Sequence, residues 1–172
     1  MNKINKLTFG TLAALIAALC FQTPLIGAAS QSNPDEGDHG VAKITFIKYV
    51  TAVVGQPGLI ATMTGVGEGD AGDVLFEGKV LRQGPVAPSG IGVVAEYILT
   101  GTKHSLTVLI QGYQAVPAIG QKGVIVGVVT SGWLKGHAVE GGWTVIPATY
   151  APGTGLGNSF AVTLKIKHGV ND

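Results

Sequence analysis

Gly123-Val-Ile-Val-Gly-Val-Val-Thr-Ser-Gly-Trp-Leu-Lys-Gly-His-Ala-Val-Glu-Gly-Gly-Trp-Thr-Val-Ile146 is the stretch that decides the fold. A β-branched run meets a turn signal at Ser131-Gly132. A second run follows in which apolar and polar residues alternate. Together they read as a β-hairpin or tight strand pair. Upstream and downstream the pattern recurs: short apolar segments cut by glycines, 27 of them in 172 residues. No stretch after residue 40 carries a helix-length amphipathic period, so the expectation is an all-β domain.

Run length and punctuation predict about eight strands, at 41–54, 59–64, 73–81, 91–100, 104–111, 123–130, 135–146 and 159–168. The first is long enough for a helix. Val41, Ile44, Thr45, Ile47, Val50, Thr51, Val53 and Val54 are all β-branched, however, and favour a strand bent midway. Gln56-Pro57-Gly58, Gly84-Pro85 and Ala151-Pro152-Gly153 supply turn chemistry. Parity then tells which side is dry. Phe160, Val162, Leu164 and Ile166 oppose Thr163, Lys165 and Lys167; Leu106, Val108 and Ile110 oppose Ser105, Thr107 and Gln111. Val74, Phe76 and Val80 oppose Glu77 and Lys79, and Val139, Trp143 and Val145 oppose Glu140 and Thr144. In 123–130 both parities are apolar, which predicts a cover on each face, another subunit or a neighbouring segment. About eight antiparallel strands of this length close into a barrel, with a two-sheet sandwich as the alternative. Glycines inside strands, Gly78, Gly127, Gly136 and Gly141, suit the sharp coiling of a small barrel.

Residues 1–29 have the pattern of a secretory signal peptide. Lys3 and Lys6 precede an apolar core at 12–21, and Gly27-Ala28-Ala29 offers small residues for cleavage after Ala29. A lipid anchor on Cys20 is the rival, disfavoured because Leu19 stands where a small residue is expected. Cleavage removes the single cysteine, so no disulfide is expected. Losing Lys3 and Lys6 leaves nine basic residues against ten acidic ones, a formal charge of −1. Without a basic stripe, nucleic acid and anionic membrane surfaces are disfavoured as partners. The expected organisation is a leader at 1–29, a flexible polar N-terminus at 30–40 and one barrel domain at 41–172, secreted or periplasmic. In the polar segment Asp35, Glu36, Asp38 and His39 read as a solvated tail. An outer-membrane barrel is disfavoured by charges on the deduced outer faces, Glu77, Lys79, Lys165 and Lys167.

At Gly127-Val-Val-Thr-Ser-Gly132-Trp133-Leu-Lys-Gly136, followed by Gly141, the chain resembles the allene oxide cyclase and dirigent-like barrels. Gly65-Val-Gly-Glu-Gly-Asp-Ala-Gly-Asp73, followed by Val74-Leu-Phe-Glu-Gly78, looks like an earlier version of the same punctuation. The resemblance implies an eight-stranded barrel, usually dimeric or trimeric, around an apolar cavity. It carries no catalytic residue onto this chain.

Candidate site residues are few. His104 and His137 each sit at a strand's start, in phase with the apolar set, and two inward imidazoles at a barrel mouth can bind a metal or move a proton. Neither has a third ligand at recognisable spacing, so rim positions are the competing reading, and no metal or cofactor is expected. Glu68, Asp70 and Asp73 offer oxygen ligands for calcium but match no calcium loop, and read better as a surface turn. Glu96 faces outward if Val93, Ala95, Tyr97 and Leu99 face in; a reversed register would make it a buried carboxylate. Tyr97, Trp133, Trp143 and Tyr113 can line a pocket for a flat or oily ligand, or fill a core or an oligomer seam. The candidate ligand-binding set is therefore Tyr97, His104, His137, Trp133 and Trp143. These residues predict an exported binding or structural module, the expected partners being an apolar small molecule and further copies of the chain. The alternatives are a cyclase or isomerase acting by confinement, and an oligomeric cell-surface module.

Overall fold

The computed structural model describes residues 40–86, 90–115 and 118–168. The leader at 1–29, Cys20 and the acidic cluster at Asp35–His39 lie outside them. Eight strands run in sequence: β1 (Val41–Gln56), β2 (Leu59–Gly69), β3 (Val74–Pro85), β4 (Ile91–Gly101), β5 (Ser105–Gln114), β6 (Lys122–Gly132), β7 (Ala138–Ile146) and β8 (Leu156–Lys167). Each pairs antiparallel with the next, and β8 returns to β1 from Val41↔Lys167 to Val50↔Leu156. The result is a closed antiparallel barrel, with no sandwich and no free edge. Among the described residues no helix is long and apolar enough to cross a membrane.

The alternation of side chains fills the barrel. Ile44 and Phe46 on β1, Phe76 on β3, Tyr97 and Leu99 on β4, and Val108 and Ile110 on β5 are buried inside. Ile125 and Val129 on β6, Val139 and Val145 on β7, and Val162, Leu164 and Ile166 on β8 complete the core. Phe46 stacks on Phe76 with centroids 4.6 Å apart, and Tyr97 meets both rings edge-on at 6.1 and 5.0 Å. These offset and T-shaped arrangements match the ring quadrupoles.

Two local expectations need correction. The glycine-rich segment at 65–69 continues β2 as strand, beyond the predicted end at 64. Any Cβ at Gly65 or Gly67 would run into the backbone of β1 around Ile47 and Thr45, so glycine lets the two strands coil tightly. Gly136 is outside any strand: it sits at φ +90° in the turn between β6 and β7, and β7 starts at Ala138. Gly127 and Gly141 are in strands, each against the backbone of a neighbour (Leu109 and Thr163).

Candidate functional site

The inner wall carries one charged side chain among the described residues. Lys48 continues the inward set Ala42, Ile44, Phe46 of β1 and is only 6% exposed. Its backbone register leaves no choice: turning the amine outward would turn Phe46 and Ile44 into water. Buried polar or charged residues among those described are Lys48, Gln114 and Ser159, so no buried carboxylate neutralises the amine. Aromatic faces surround it instead. Nζ lies 4.4 Å from the centroid of Tyr97, 5.6 Å from Trp143, 5.7 Å from Phe160 and 6.0 Å from Phe76. Each face offers a partial cation–π interaction. Nζ also donates a hydrogen bond to the Tyr97 hydroxyl. Burial lowers the Lys48 pKa from 10.5 to about 7 and pushes the Tyr97 phenol above its ordinary value. Near neutrality, then, a large fraction of Lys48 is a neutral amine with a free lone pair, beside a phenol that keeps its proton.

Trp143 extends this site toward β5 and β6. Its ring lies flat against Gly112 and Gly123; a Cβ at Gly112 would stand 2.7 Å from the ring, and one at Gly123 closer still. The indole N–H donates to Gln114 Oε1 at 3.1 Å. That bond fixes the amide's orientation and leaves Gln114 Nε2 buried with no hydrogen-bond partner. A buried unpaired donor is uncommon in proteins and costs about 1–3 kcal/mol, so it marks a place where an acceptor is wanted.

The inner wall is not equally sealed along its length. Lys48, Ala61, Met63, Val80, Gln114 and Trp143 keep 5–7% exposure, whereas Ile44, Phe76, Leu99, Leu164 and Ile166 keep none. These six residues stand toward the end of the barrel where β1, β3, β5 and β7 finish. That end is the less sealed one, although all six side chains are buried.

Of the residues singled out from sequence, Tyr97 and Trp143 belong to this cluster. The histidines and Trp133 stand elsewhere. His104 is exposed between β4 and β5, and its ring stacks on Trp133 at 4.4 Å, with Trp133 packed against the core. His137 is half-buried in the β6–β7 turn, its Nδ1 3.1 Å from the Leu134 carbonyl. Tyr113 is half-buried on β5. Glu96 points outward and pairs with Lys79 at 3.3 Å, as the cleaner apolar face of β4 requires. Asp70 accepts a hydrogen bond from the Lys43 backbone N–H at 2.7 Å, while Glu68 lies on β2. Among the described residues no three His, Cys, Asp or Glu side chains converge on a metal-sized site.

Lys48 and Gln114 were not among the candidates read from the sequence. The signal was present: Ala42-Ile44-Phe46-Lys48-Val50 and Leu106-Val108-Ile110-Gly112-Gln114 are both unbroken period-2 sets, each with a polar member in phase. The β-branched content of the first strand does not assign its parity, and the fifth strand runs three residues beyond its expected end at Gln111. Against protein-family models, curated proteins and solved structures alike, the chain finds no match.

Proposed function

We propose that this barrel is an exported binding module for a small, mostly apolar molecule that carries one polar group. The observation that carries the reading is the Lys48–Tyr97–Trp143–Gln114 cluster. An amine and an unpaired amide donor are held among aromatic rings at the less sealed end of an otherwise dry interior. Such a lining, mostly apolar with a few fixed polar atoms, is typical of small-molecule sites. The eight-stranded closure agrees with the architecture of the barrels that the Gly127–Gly141 punctuation resembles. Export rests on the leader pattern of residues 1–29, and the mature chain is expected to begin at Ser30. Charged pairs on the outer wall, Lys79–Glu96 and Lys167–Glu140, together with an apolar interior, support a barrel standing in water and not in lipid.

Heat unfolding in the presence of fatty acids and isoprenoid alcohols tests the reading. A binder raises the midpoint in proportion to ligand concentration over Kd. No shift with any member of the panel, in a protein that unfolds cooperatively, overturns it.

A second reading has its own observation. On β6, Val124 and Val126 are 60% and 55% exposed, and Val128 and Leu109 beside them are also open to solvent. This outer stripe is the second apolar face read from the sequence, and it supports self-association through β5 and β6. Sedimentation of the mature protein is expected to give an oligomer that Val126→Lys converts to monomer; a monomeric wild type removes this reading.

A further inference from the structure

We infer that Lys48 is a carbonyl-capturing residue: the molecule taken into the barrel is an aldehyde or ketone, held as an imine on Nζ. The inference deepens the binding reading above and rests on it. Three features of the cluster point the same way. With no buried carboxylate among the described residues, Lys48 gains no buried ion pair, and a cage of four rings stabilises the ammonium only in part. The group therefore retains its place at a cost in stability. An amine held neutral by desolvation is the form that adds to carbonyls, and desolvated lysines are the usual Schiff-base formers. An acidic ligand fits less well, because its own charge would have to be stripped of water beside the same rings.

The neighbours supply the protons. The Nζ lone pair attacks the carbonyl carbon, a C–N bond forms, and the C=O π pair moves to oxygen. The Tyr97 hydroxyl, in hydrogen-bond contact with Nζ, can give that oxygen a proton and recover one from nitrogen. The resulting carbinolamine loses its hydroxyl, with a second proton, as water, and the nitrogen lone pair closes the C=N bond. Amine plus carbonyl gives imine plus water, with no oxidant or reductant. Gln114 Nε2, hung from the Trp143 indole, is a donor still lacking an acceptor and can hold the carbonyl oxygen during addition.

Treating the mature protein at pH 7 with hexanal or benzaldehyde and sodium cyanoborohydride traps any imine as a stable secondary amine. Peptide mass mapping then locates it. The expected result is one adduct per chain, on Lys48, formed at least tenfold faster than on the exposed Lys43, Lys79, Lys165 or Lys167. Its rate rises with pH through about 7, and Tyr97→Phe slows it at unchanged fold. Labelling confined to surface lysines while Lys48 stays unmodified overturns the inference, and this arm needs no variant. Lys48→Met must abolish the fast adduct, and its melting midpoint reports whether it folds. Hexan-1-ol and benzyl alcohol separate the two proposals. If the alcohols raise the melting midpoint but no Lys48 adduct forms, imine capture fails and the binding reading stands. If an adduct forms without any alcohol effect, capture stands and the barrel retains only molecules that it holds covalently. If neither occurs, both fail.

Discussion

Lys48 sets a pH dependence of stability. In the unfolded chain its amine titrates near 10.5, and in the barrel near 7. Between these values the unfolded chain binds more protons than the folded one, so stability rises with pH. Below about pH 7 both states are protonated and the full cost of burying the charge is present; above about 10.5 it has vanished. At about 1.4 kcal/mol per tenfold step the whole span is on the order of a few kcal/mol. Urea unfolding is expected to show a wild type that gains stability from pH 6 to pH 9. Lys48→Met should be more stable than wild type at pH 6 and lack this rise; a parallel pair of curves contradicts the buried, depressed amine. A second residue-scale prediction concerns the indole. Gly123→Ala puts a Cβ into the Trp143 ring, and overpacking of this kind costs about 1–3 kcal/mol with a blue- or red-shifted Trp143 emission. Legibility at this scale followed parity. Alternation alone assigns Trp143 to its face, whereas Tyr97 and Glu96 needed the observed register of β4, because Val94 and Ile98 make its other parity apolar as well. Lys48 was hidden by its type: a lysine among β-branched residues reads as an outward charge until its neighbours two positions away are counted. The partnerless amide of Gln114 was beyond sequence, since it depends on where Trp143 points.

At the scale of the strand, β6 separates what faces the core from what faces outward. Ile125 and Val129 are sealed inside, while Val124, Val126 and Val128 are open to solvent. Composition did not reveal this, because both parities are β-branched; Gly123 and Gly127 do reveal it, since they fall on the inner set where Trp143 and the β5 backbone crowd the wall. Ile125→Ala should therefore cost about 2–5 kcal/mol, as a buried large-to-small change does. Val126→Thr should stay within about 0.5 kcal/mol, measured on dilute protein by denaturant unfolding. Equal losses at both positions would mean that the outer face is also packed. The β2 segment Gly65–Gly69 makes the complementary point. Glycine punctuation reads locally as turn, but a strand hugging its neighbour's backbone needs the same residue for a different reason. Only the tertiary close approach of β1 distinguishes the two.

For the molecule as a whole, closure is the structural fact on which the rest depends, and β8 provides it. Its inward Phe160, Val162, Leu164 and Ile166 lie against β1 and β7 together, in register from Val139↔Ile166 to Ile146↔Ser159 on one side and across Val41–Val50 on the other. Strand count and alternation point to a closed barrel or a two-sheet sandwich, and the pairing of β1 with β8 decides for the barrel. The pairing of β1 with β8 joins residues more than a hundred positions apart. Such contacts are made only after a long loop has been closed, which places refolding on the millisecond-to-second scale. Removing β8 leaves the hairpins of β1 to β7 formally intact but opens two edges and uncovers Ile44, Phe46 and Trp143. A chain ended after Tyr150 is thus expected to lose the cooperative heat transition of the full protein, bind a hydrophobic dye and aggregate. The exposed pair Lys167–Glu140, also lost with β8, cannot account for that outcome. At 2.8 Å and more than half exposed on both sides, it is worth about 0–1 kcal/mol. Glu140→Gln in the full-length chain isolates that contribution and should leave the transition almost unmoved. A truncated chain that still unfolds cooperatively, with Trp143 shielded from quencher, would mean that seven strands suffice and that closure through β8 is not what keeps the interior dry.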